Sequence, residues 1–341
     1  EIEKAAEKNP AILSPYTFVE RSGSGKLVAV PYSKKFKKKL TQIAKLLKEA
    51  AVLSEDKDFK AYLVARAQDL LRDNFDKSNI LWLKANASKI GCAIGPFDRF
   101  HDRFFFQKRA YSSWVGVLDA KRTQEMEKFC AAMLTGERKH LPGAKRTKVS
   151  QVKIRIEHTT VLSGLDADFL FVSNNLPSSA DLHIIKKYGT ICTLFAPLLD
   201  WRFSNWIFPI FQSVFVGNAD EEFSEEELRE AFSRVSVFDE VSHSLMRYED
   251  AASRLQETFA YLDEIYGDIL TVKASGYLFL RGVLTERELQ AIIMTEISQG
   301  LYYIVAAQKR SHLDPLIVGY ACFIEFLLRG GALRKKEGGF Q

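Results

Sequence analysis

The sequence predicts an α+β fold in which helices predominate, and three stretches carry that prediction. Residues 16–32, YTFVERSGSGKLVAVPY, hold two short runs rich in valine and aromatic residues around SGSG at 22–25, a pattern typical of a β-hairpin. Residues 150–162, SQVKIRIEHTTVL, alternate between apolar and polar side chains, as a half-buried strand does. From residue 180 onward nearly every segment has the apolar periodicity of an amphipathic helix.

The remaining elements follow in chain order. After the hairpin the periodicity predicts helices over 33–53, 56–74 and about 97–117. DFLFVSNNLP at 168–177 predicts a second strand. Ser224 with Glu227 has the spacing of a capping box, which opens a helix at SEEELREAFSRV.

Composition narrows the classes of function. The 341 residues include 47% hydrophobic and 27% charged residues, which is ordinary for a soluble globular protein with one large or two smaller cores. The net charge of +5, from 48 basic and 43 acidic residues, is too balanced to indicate a nucleic-acid partner. No run approaches the roughly 18–20 apolar residues of a membrane span. We expect a soluble protein, cytoplasmic or periplasmic, and leave open both a leader removed ahead of Glu1 and the oligomeric state.

The four cysteines do not form a metal or redox motif. They lie too far apart in sequence for a C-x-x-C pair, and each sits among apolar residues. We therefore expect buried, reduced thiols.

The stretch VFDEVSHSLMRYED, residues 237–250, differs from an H-E-x-x-H zinc signature by one residue. Asp239 stands where the first histidine would be, and Glu240 and His243 follow in register. Positions 239 and 243 lie about one helical turn apart, so their side chains share a face, as two metal ligands require. In H-E-x-x-H enzymes the glutamate is the general base, the role that Glu240 would have.

A third ligand has to come from another segment. YLDEIYGDIL at 261–270 offers Asp263, Glu264 and Asp268. An ordinary acidic helix with one histidine gives the same D-E-x-x-H pattern by chance, so the motif alone leaves a metal site and a solvated helix face open.

The order of several motifs resembles that of the dipeptidyl-peptidase III family. Residues 84–114, KANASKIGCAIGPFDRFHDRFFFQKRAYSSW, resemble its I-G-P-x-E-x-Y-x-D stretch. SNNLPSSAD at 173–181 is similar to its N-I/L-P-N/D segment, and the D-E-x-x-H stretch and LDEIYGDIL, similar to its E-E-x-x-A-D/E motif, follow in the same order. With the hairpin and FLLRGGAL at 326–333, the resemblance covers most of 15–335.

The resemblance implies a metal site and a catalytic base. His243 matches the second zinc histidine, Glu264 the zinc-binding glutamate and Glu240 the catalytic glutamate, whereas Asp239 replaces the first zinc histidine. Carboxylate oxygen is a legitimate zinc ligand. Two carboxylates, however, leave bound water less acidic and favour harder ions such as Mn²⁺. The cofactor implied is zinc, with manganese or no metal as alternatives.

The resemblance also implies substrate contacts. Asp98 and Asn175 match positions that hold the free N-terminus and first peptide unit of the substrate, and Phe100 and Ser178 match further substrate positions. Asp98 is shorter than the family's glutamate, and Phe100 lacks the hydroxyl of its tyrosine. The partners implied are short peptides with a free N-terminus.

The fold implied has two lobes with a cleft, a smaller lobe that contains strands and a helical metal-site lobe. We predict a first lobe at 1–115, a connecting helical segment at 116–149, strands returning to the first lobe at 150–180, and the helical lobe at 181–341. The function implied is a metal-dependent hydrolase that releases dipeptides from peptide N-termini. The alternative is an inactive pseudopeptidase that binds peptides or acts as a scaffold, and a hydrolase of non-peptide substrates stays open.

Overall fold

The structure is a computed structural model that describes residues 1–98, 102, 107–140, 151–177, 181–215, 223–245, 251–307 and 315–340. The fold class is the predominantly helical α+β fold that the sequence predicts. In chain order the strands are β1 (Thr17–Arg21), β2 (Leu27–Pro31), β3 (Ile90–Asp98), β4 (Ala110–Leu118), β5 (Val152–Gly164), β6 (Ser173–Leu176), β7 (Thr190–Phe195), β8 (Lys335–Lys336) and β9 (Gly339–Phe340).

The helices are more extensive than the strands. In chain order they are α1 (Ile2–Lys8), α2 (Tyr32–Lys35), α3 (Lys37–Leu53), α4 (Lys57–Asp69), α5 (Asp76–Lys84), α6 (Ala120–His140), α7 (Leu165–Phe169), α8 (Leu182–Tyr188), α9 (Ala196–Arg202), α10 (Phe208–Val214), α11 (Glu225–Leu245), α12 (Ala251–Leu255), α13 (Phe259–Leu280), α14 (Glu286–Ala307) and α15 (Pro315–Arg329). Between α9 and α10 the chain forms a π-helical turn at Phe203–Ile207.

The principal sheet has the strand order β3-β4-β5-β7-β6. β3 and β4 pair in antiparallel fashion, with a register shift between Pro96 and Asp98. β5 and β7 pair in parallel, with Val152 opposite Thr190 and Glu157 opposite Phe195. The hairpin predicted at 16–32 is confirmed, because β1 and β2 pair in antiparallel register across the SGSG turn.

The chain divides into two compact units that interleave along the sequence. The first consists of Glu1–Leu118, Thr160–Leu170 and Leu176–Gly189. The second consists of Asp119–Thr159, Phe171–Asn175 and Thr190–Gln341. The contiguous domain ranges expected from the sequence stay a prediction.

Each unit has its own core. In the first unit Tyr62, Leu63, Leu70 and Trp114 are at most 2% exposed. The core of the second unit joins β5 and β7 to α6, α9 to α11 and the start of α14, and its buried members include Ile154, Ile156, Leu194, Phe203, Phe211, Phe232 and Phe238.

Three sequence-based predictions were wrong at the level of elements. The described part of the helix predicted at 97–117 forms the end of β3 and most of β4, where Ser112, Trp114 and Gly116 are buried alternately in the two-residue period of a strand, and 99–101 and 103–106 lie outside the described residues. The strand predicted at 168–177 is shorter, since α7 occupies its start up to Phe169 and is followed by Leu170 in the left-handed conformation. β7, buried along its whole length, falls in a region predicted to be helical.

Two further expectations concern the burial of the cysteines and the apolar length of the helices. Cys130 and Cys192 are buried free thiols, whereas Cys92 is half-buried and Cys322 is exposed on α15, so the expectation of burial was wrong for Cys322. Within the described residues, none of the helices combines the length and the apolar character that crossing a bilayer requires.

Candidate functional site

The helix that carries the D-E-x-x-H stretch is α11. Its N-terminus is closed as the sequence predicts, because the Ser224 hydroxyl accepts from the Glu227 N–H while the Glu227 carboxylate accepts from the Ser224 N–H at 2.8 Å. Its apolar residues, among them Leu228, Phe232 and Val235, are fully buried in the core of the second unit. This packing fixes the rotation of α11 and therefore the direction in which Asp239 and His243 project.

Asp239 and His243 lie together, as their spacing predicts. Asp239 Oδ1 is 3.5 Å from His243 Nε2, and the His243 side chain is 13% exposed. On its other side His243 Nδ1 is 3.7 Å from Asp263 Oδ2, which belongs to α13. One imidazole therefore lies between two carboxylates, and the residue of α13 paired with it is Asp263, the neighbour of the predicted ligand Glu264.

Gly267 allows α13 to approach this pair. A Cβ atom at position 267 would lie 2.7 Å from Asp239 Oδ1 and 2.9 Å from His243 Nε2, closer than side-chain carbons approach other atoms. Asp239 Oδ1 and His243 Nε2, the atoms that would bind a metal, thus point at the backbone of α13 at Gly267, the residue before Asp268. A glycine is required here by packing, because the helical conformation itself admits any residue.

Burial and charge act against each other at this site. Burial opposes protonation of His243, but the carboxylates of Asp239 and Asp263 outweigh it and raise the pKa of the imidazole well above its usual value. Burial, together with the charges of Asp239 and Asp263, raises the pKa of Glu264 to about 8 against the attraction of His243. Burial also raises the pKa of Asp239, against the attraction of His243. The raised pKa values favour the protonated, neutral carboxyl forms and so lower the negative charge that His243 or a bound cation would have to balance.

Two more acids belong to this cluster, and sequence reasoning missed one of them. Asp268 of α13 and Glu296 of α14 are 2% and 1% exposed. Burial raises the pKa of both well above the usual values, and the charge of Glu296 adds to the shift at Asp268 while the charge of Asp239 adds to the shift at Glu296. Asp268 was named with the candidate ligands; Glu296 was not. Its sequence signal is a single glutamate in the otherwise uncharged run QAIIMTEISQG, where an acid with no basic neighbour is placed among core residues.

Asn175 of β6 lies against α11. Its Nδ2 donates to the carbonyl of Glu240 at 2.7 Å and to the hydroxyl of Ser244 at 2.7 Å. Because a backbone carbonyl only accepts, the amide orientation is fixed, with Nδ2 toward the helix. Oδ1 is buried and has no hydrogen-bond partner among the described residues. An acceptor left unpaired in this way costs about 1–3 kcal/mol.

Comparison with known proteins places this arrangement in a known fold. Dipeptidyl-peptidase III from Caldithrix abyssi superimposes with a TM-score of 0.83 at 23% identity, over 100% of this chain and 66% of that chain. Dipeptidyl-peptidase III from Corallococcus sp. strain EGB gives a TM-score of 0.85 at 23% identity, over 98% of this chain and 63% of that chain. The fold is that of dipeptidyl-peptidase III.

The sequence comparisons are less specific. No family model matches the chain. A curated relative, Nudix hydrolase 3 from Arabidopsis thaliana, is 24% identical over 285 residues, which is 79% of this chain and 35% of that protein. The chain thus spans about two thirds of the solved dipeptidyl-peptidase III chains and about a third of the curated relative. At these identities the likeness establishes the fold, and activity has to be argued from the residues.

The predicted ligands fit a divalent cation only in part. Asp239 Oδ1 and His243 Nε2, at 3.5 Å, have about the separation of two ligands that each lie about 2.0–2.2 Å from one ion. An imidazole with carboxylates also suits such an ion in donor type and charge. Within the described ranges, however, no three His, Cys, Asp or Glu side chains are grouped as a metal site, so Glu264 does not complete the set as arranged.

The other predicted site residues are distributed differently. Asp98 ends β3 in the first unit and is half-buried. Phe100 and Ser178 lie outside the described residues. Asn175 is therefore the predicted substrate residue that the structure brings next to the D-E-x-x-H helix.

Proposed function

We propose that this chain binds peptides through their N-terminal residues, with Asn175 as one of the contacts, and that it releases dipeptides when a divalent cation is bound beside α11. The proposal is supported by the dipeptidyl-peptidase III fold, which extends over the whole chain. It is also supported by the order of the motifs from 84–114 to LDEIYGDIL, which follows that of the family.

The observation that carries the proposal is the contact between Asn175 and α11. Two motifs separated by 65 residues meet in two hydrogen bonds of 2.7 Å. These bonds use both donors of the amide and leave Oδ1 as an unpaired acceptor. A peptide N–H or a free α-ammonium is the kind of donor that such an oxygen accepts, and a charged donor gives the stronger bond.

The metal-dependent part of the proposal names residues but no reaction step. Asp239, His243 and Glu264 are the residues proposed to hold zinc or manganese, and Glu240 is the proposed general base. Asp98, Phe100 and Ser178 stay predicted substrate-binding residues. Because Glu264 does not complete the ligand set as arranged, binding of a cation requires Asp263 or Glu264 to change rotamer.

Binding without hydrolysis is the second candidate function, and one observation favours it. The His243 imidazole is held on both sides by carboxylates, Asp239 at 3.5 Å and Asp263 at 3.7 Å. An ion pair of this kind stabilises the protonated imidazole, which is not a metal ligand, so a cation has to compete with a proton.

The two parts are tested separately. A tetrapeptide with a free N-terminus is expected to bind about tenfold more tightly than its acetylated form, measured by calorimetry in EDTA. Asn175→Ala removes the acceptor and is expected to weaken binding of the free peptide about tenfold, the worth of one hydrogen bond to a charged group. Asn174→Ala, on the opposite face of the same strand, is the matched control.

Hydrolysis is then measured with the same peptide after addition of Zn²⁺ or Mn²⁺. Release of a dipeptide that Glu240→Gln abolishes supports the hydrolase. Binding of the free peptide without release in either metal identifies the pseudopeptidase. Equal affinity for the free and acetylated peptides contradicts the proposed peptide recognition.

A further inference from the structure

A small cavity inside the first unit lies between two buried arginines. It measures about 10 Å³, the room that a single water-sized particle needs. Among the described residues its lining comprises side chains of α4, α5 and β3 with Arg109, Leu176, Pro177 and Asp181, and the helix and strand residues are Arg66, Asn79, Trp82 and Phe97. Nothing in the proposed peptide chemistry uses this cavity.

The described lining residues carry one more positive charge than negative. Arg66 is 1% exposed and Arg109 is 4% exposed. Arg109 is neutralised by Asp181, whose two oxygens accept from it at 3.1 and 3.2 Å. The polar partner of Arg66 is the neutral amide of Asn79, whose Oδ1 accepts from Nη2 at 2.7 Å.

Several donors around the cavity lack an acceptor. Nε and Nη1 of Arg66 and Nε of Arg109 are buried without a hydrogen-bond partner among the described residues. The rings of Tyr62, Phe75 and Phe97 lie 5.4–5.5 Å from the guanidinium carbon of Arg66. Aromatic rings stabilise a nearby cation but are poor substitutes for an acceptor at each N–H.

Asp69 lies three residues after Arg66 on α4, and its carboxylate is hydrogen-bonded to another residue. Asp69 Oδ2 accepts from the N–H of Ser78 at 3.0 Å, which closes the start of α5. It does not line the cavity. Among the described ion pairs none joins Asp69 to Arg66, so Asp69 does not supply the missing counter-charge.

We infer that the cavity is a binding site for a single-atom anion, chloride under ordinary conditions, held by Arg66 with Arg109 alongside. A water molecule would accept one or two hydrogen bonds but leave the buried charge of Arg66 unbalanced, which is the more costly deficit. The small volume, about 10 Å³, favours a monatomic anion over phosphate, sulfate and carboxylates. The site joins α4 and α5 to β3 within the first unit and is independent of the proposed peptidase function.

The central test replaces the anion with a side chain. Asn79→Asp keeps the oxygen that accepts from Arg66 and adds the negative charge that the cavity lacks. In the wild-type protein the thermal midpoint is expected to rise by about 2–4 °C when sodium gluconate is exchanged for sodium chloride at constant ionic strength. In Asn79→Asp this response to chloride is expected to disappear.

The control carries the same change of charge outside the cavity. Asn74 is exposed and lies in the same unit, so Asn74→Asp is expected to keep the full response to chloride. Bromide provides a direct measurement that does not depend on any variant: crystals soaked in sodium bromide should show an anomalous peak beside the Arg66 guanidinium. Equal midpoints in chloride and gluconate, or a bromide map without a peak in the cavity, overturn the inference.

Discussion

The packing of Gly267 against Asp239 and His243 makes a stability prediction with a definite sign. Gly267→Ala places a methyl group 2.7 Å from Asp239 Oδ1 and 2.9 Å from His243 Nε2. Asp239 ends in a short side chain that can rotate, but the imidazole is backed by Asp263 on its other side. The methyl group therefore has to displace the ion pair or push the two helices apart.

The magnitude follows from two opposing contributions. Replacing glycine with alanine inside a helix stabilises a protein by about 0.5–1 kcal/mol. Inserting a methyl group into a filled site costs about 1–3 kcal/mol. We expect Gly267→Ala to lower the free energy of unfolding by about 1 kcal/mol in total.

Gly276 is the matched control for this substitution. It lies on α13 as well, and a Cβ atom there would meet nothing within 4 Å. Gly276→Ala is expected to stabilise by the helix contribution alone, so the two variants should differ by the cost of overpacking, about 1–3 kcal/mol. Urea unfolding in EDTA measures both. Equal stabilisation by the two substitutions would refute the proposed contact between Gly267 and the D-E-x-x-H helix.

Three further predictions concern α11 and the residue of α13 proposed as its metal-binding partner. Asp239→His adds a neutral nitrogen ligand at unchanged spacing and is expected to raise zinc affinity at least about tenfold in calorimetry, and a folded variant without detectable zinc binding would contradict the metal site. Glu264→Ala is expected to abolish retention of zinc by elemental analysis, whereas an unchanged zinc content would exclude Glu264 as a ligand. A hydrogen bond from Arg287, with those from Ser224, lowers the pKa of Glu227 from 4.5 to about 2. The lowered pKa stabilises the fold above pH 4.5, and this stabilisation is lost as the pH falls toward 2. Glu227→Gln should therefore make the free energy of unfolding less dependent on pH between 4.5 and 2. An unchanged pH dependence would contradict the cap.

The sequence predicted local elements best where one physical signal dominated. The hairpin at 16–32 and the cap at Ser224 depend on residues that are neighbours in sequence, and both were confirmed. The sequence did not predict β7, because TICTLF is buried on both faces in a parallel sheet and has no alternation to distinguish it from a helix segment. The prediction of a helix over 97–117 was wrong because aromatic residues are compatible with both a strand and an amphipathic helix.

The candidate site was predictable in its spacing but not in its partners. Helical periodicity placed Asp239 and His243 on one face, and the structure brings them together. The periodicity of α13 could not decide whether Asp263 or Glu264 faces the imidazole, because adjacent residues differ by about 100° and the rotation of the helix is set by tertiary packing. The D-E-x-x-H and LDEIYGDIL motifs do not predict Glu296, since it joins the acidic cluster only through the packing of α14.

Two departures from the family pattern meet in the structure. The resemblance places histidine where this chain has Asp239 and alanine, in E-E-x-x-A-D/E, where it has Gly267. An alanine Cβ at 267 would lie 2.7 Å from the Asp239 carboxylate and 2.9 Å from His243 Nε2, so glycine at 267 leaves space that Asp239 and His243 both use. That is what a rearranged site would show, whereas independent decay gives no reason for the changes to coincide.

The coupling can be measured with a double-mutant cycle. Gly267→Ala is expected to destabilise the protein when Asp239 is present. It should destabilise less when combined with Asp239→His, because the carboxylate oxygen at 2.7 Å is then gone while His243 Nε2 at 2.9 Å remains. An interaction energy of at least about 1 kcal/mol supports a rearranged site, and strictly additive effects show that the two departures are unrelated.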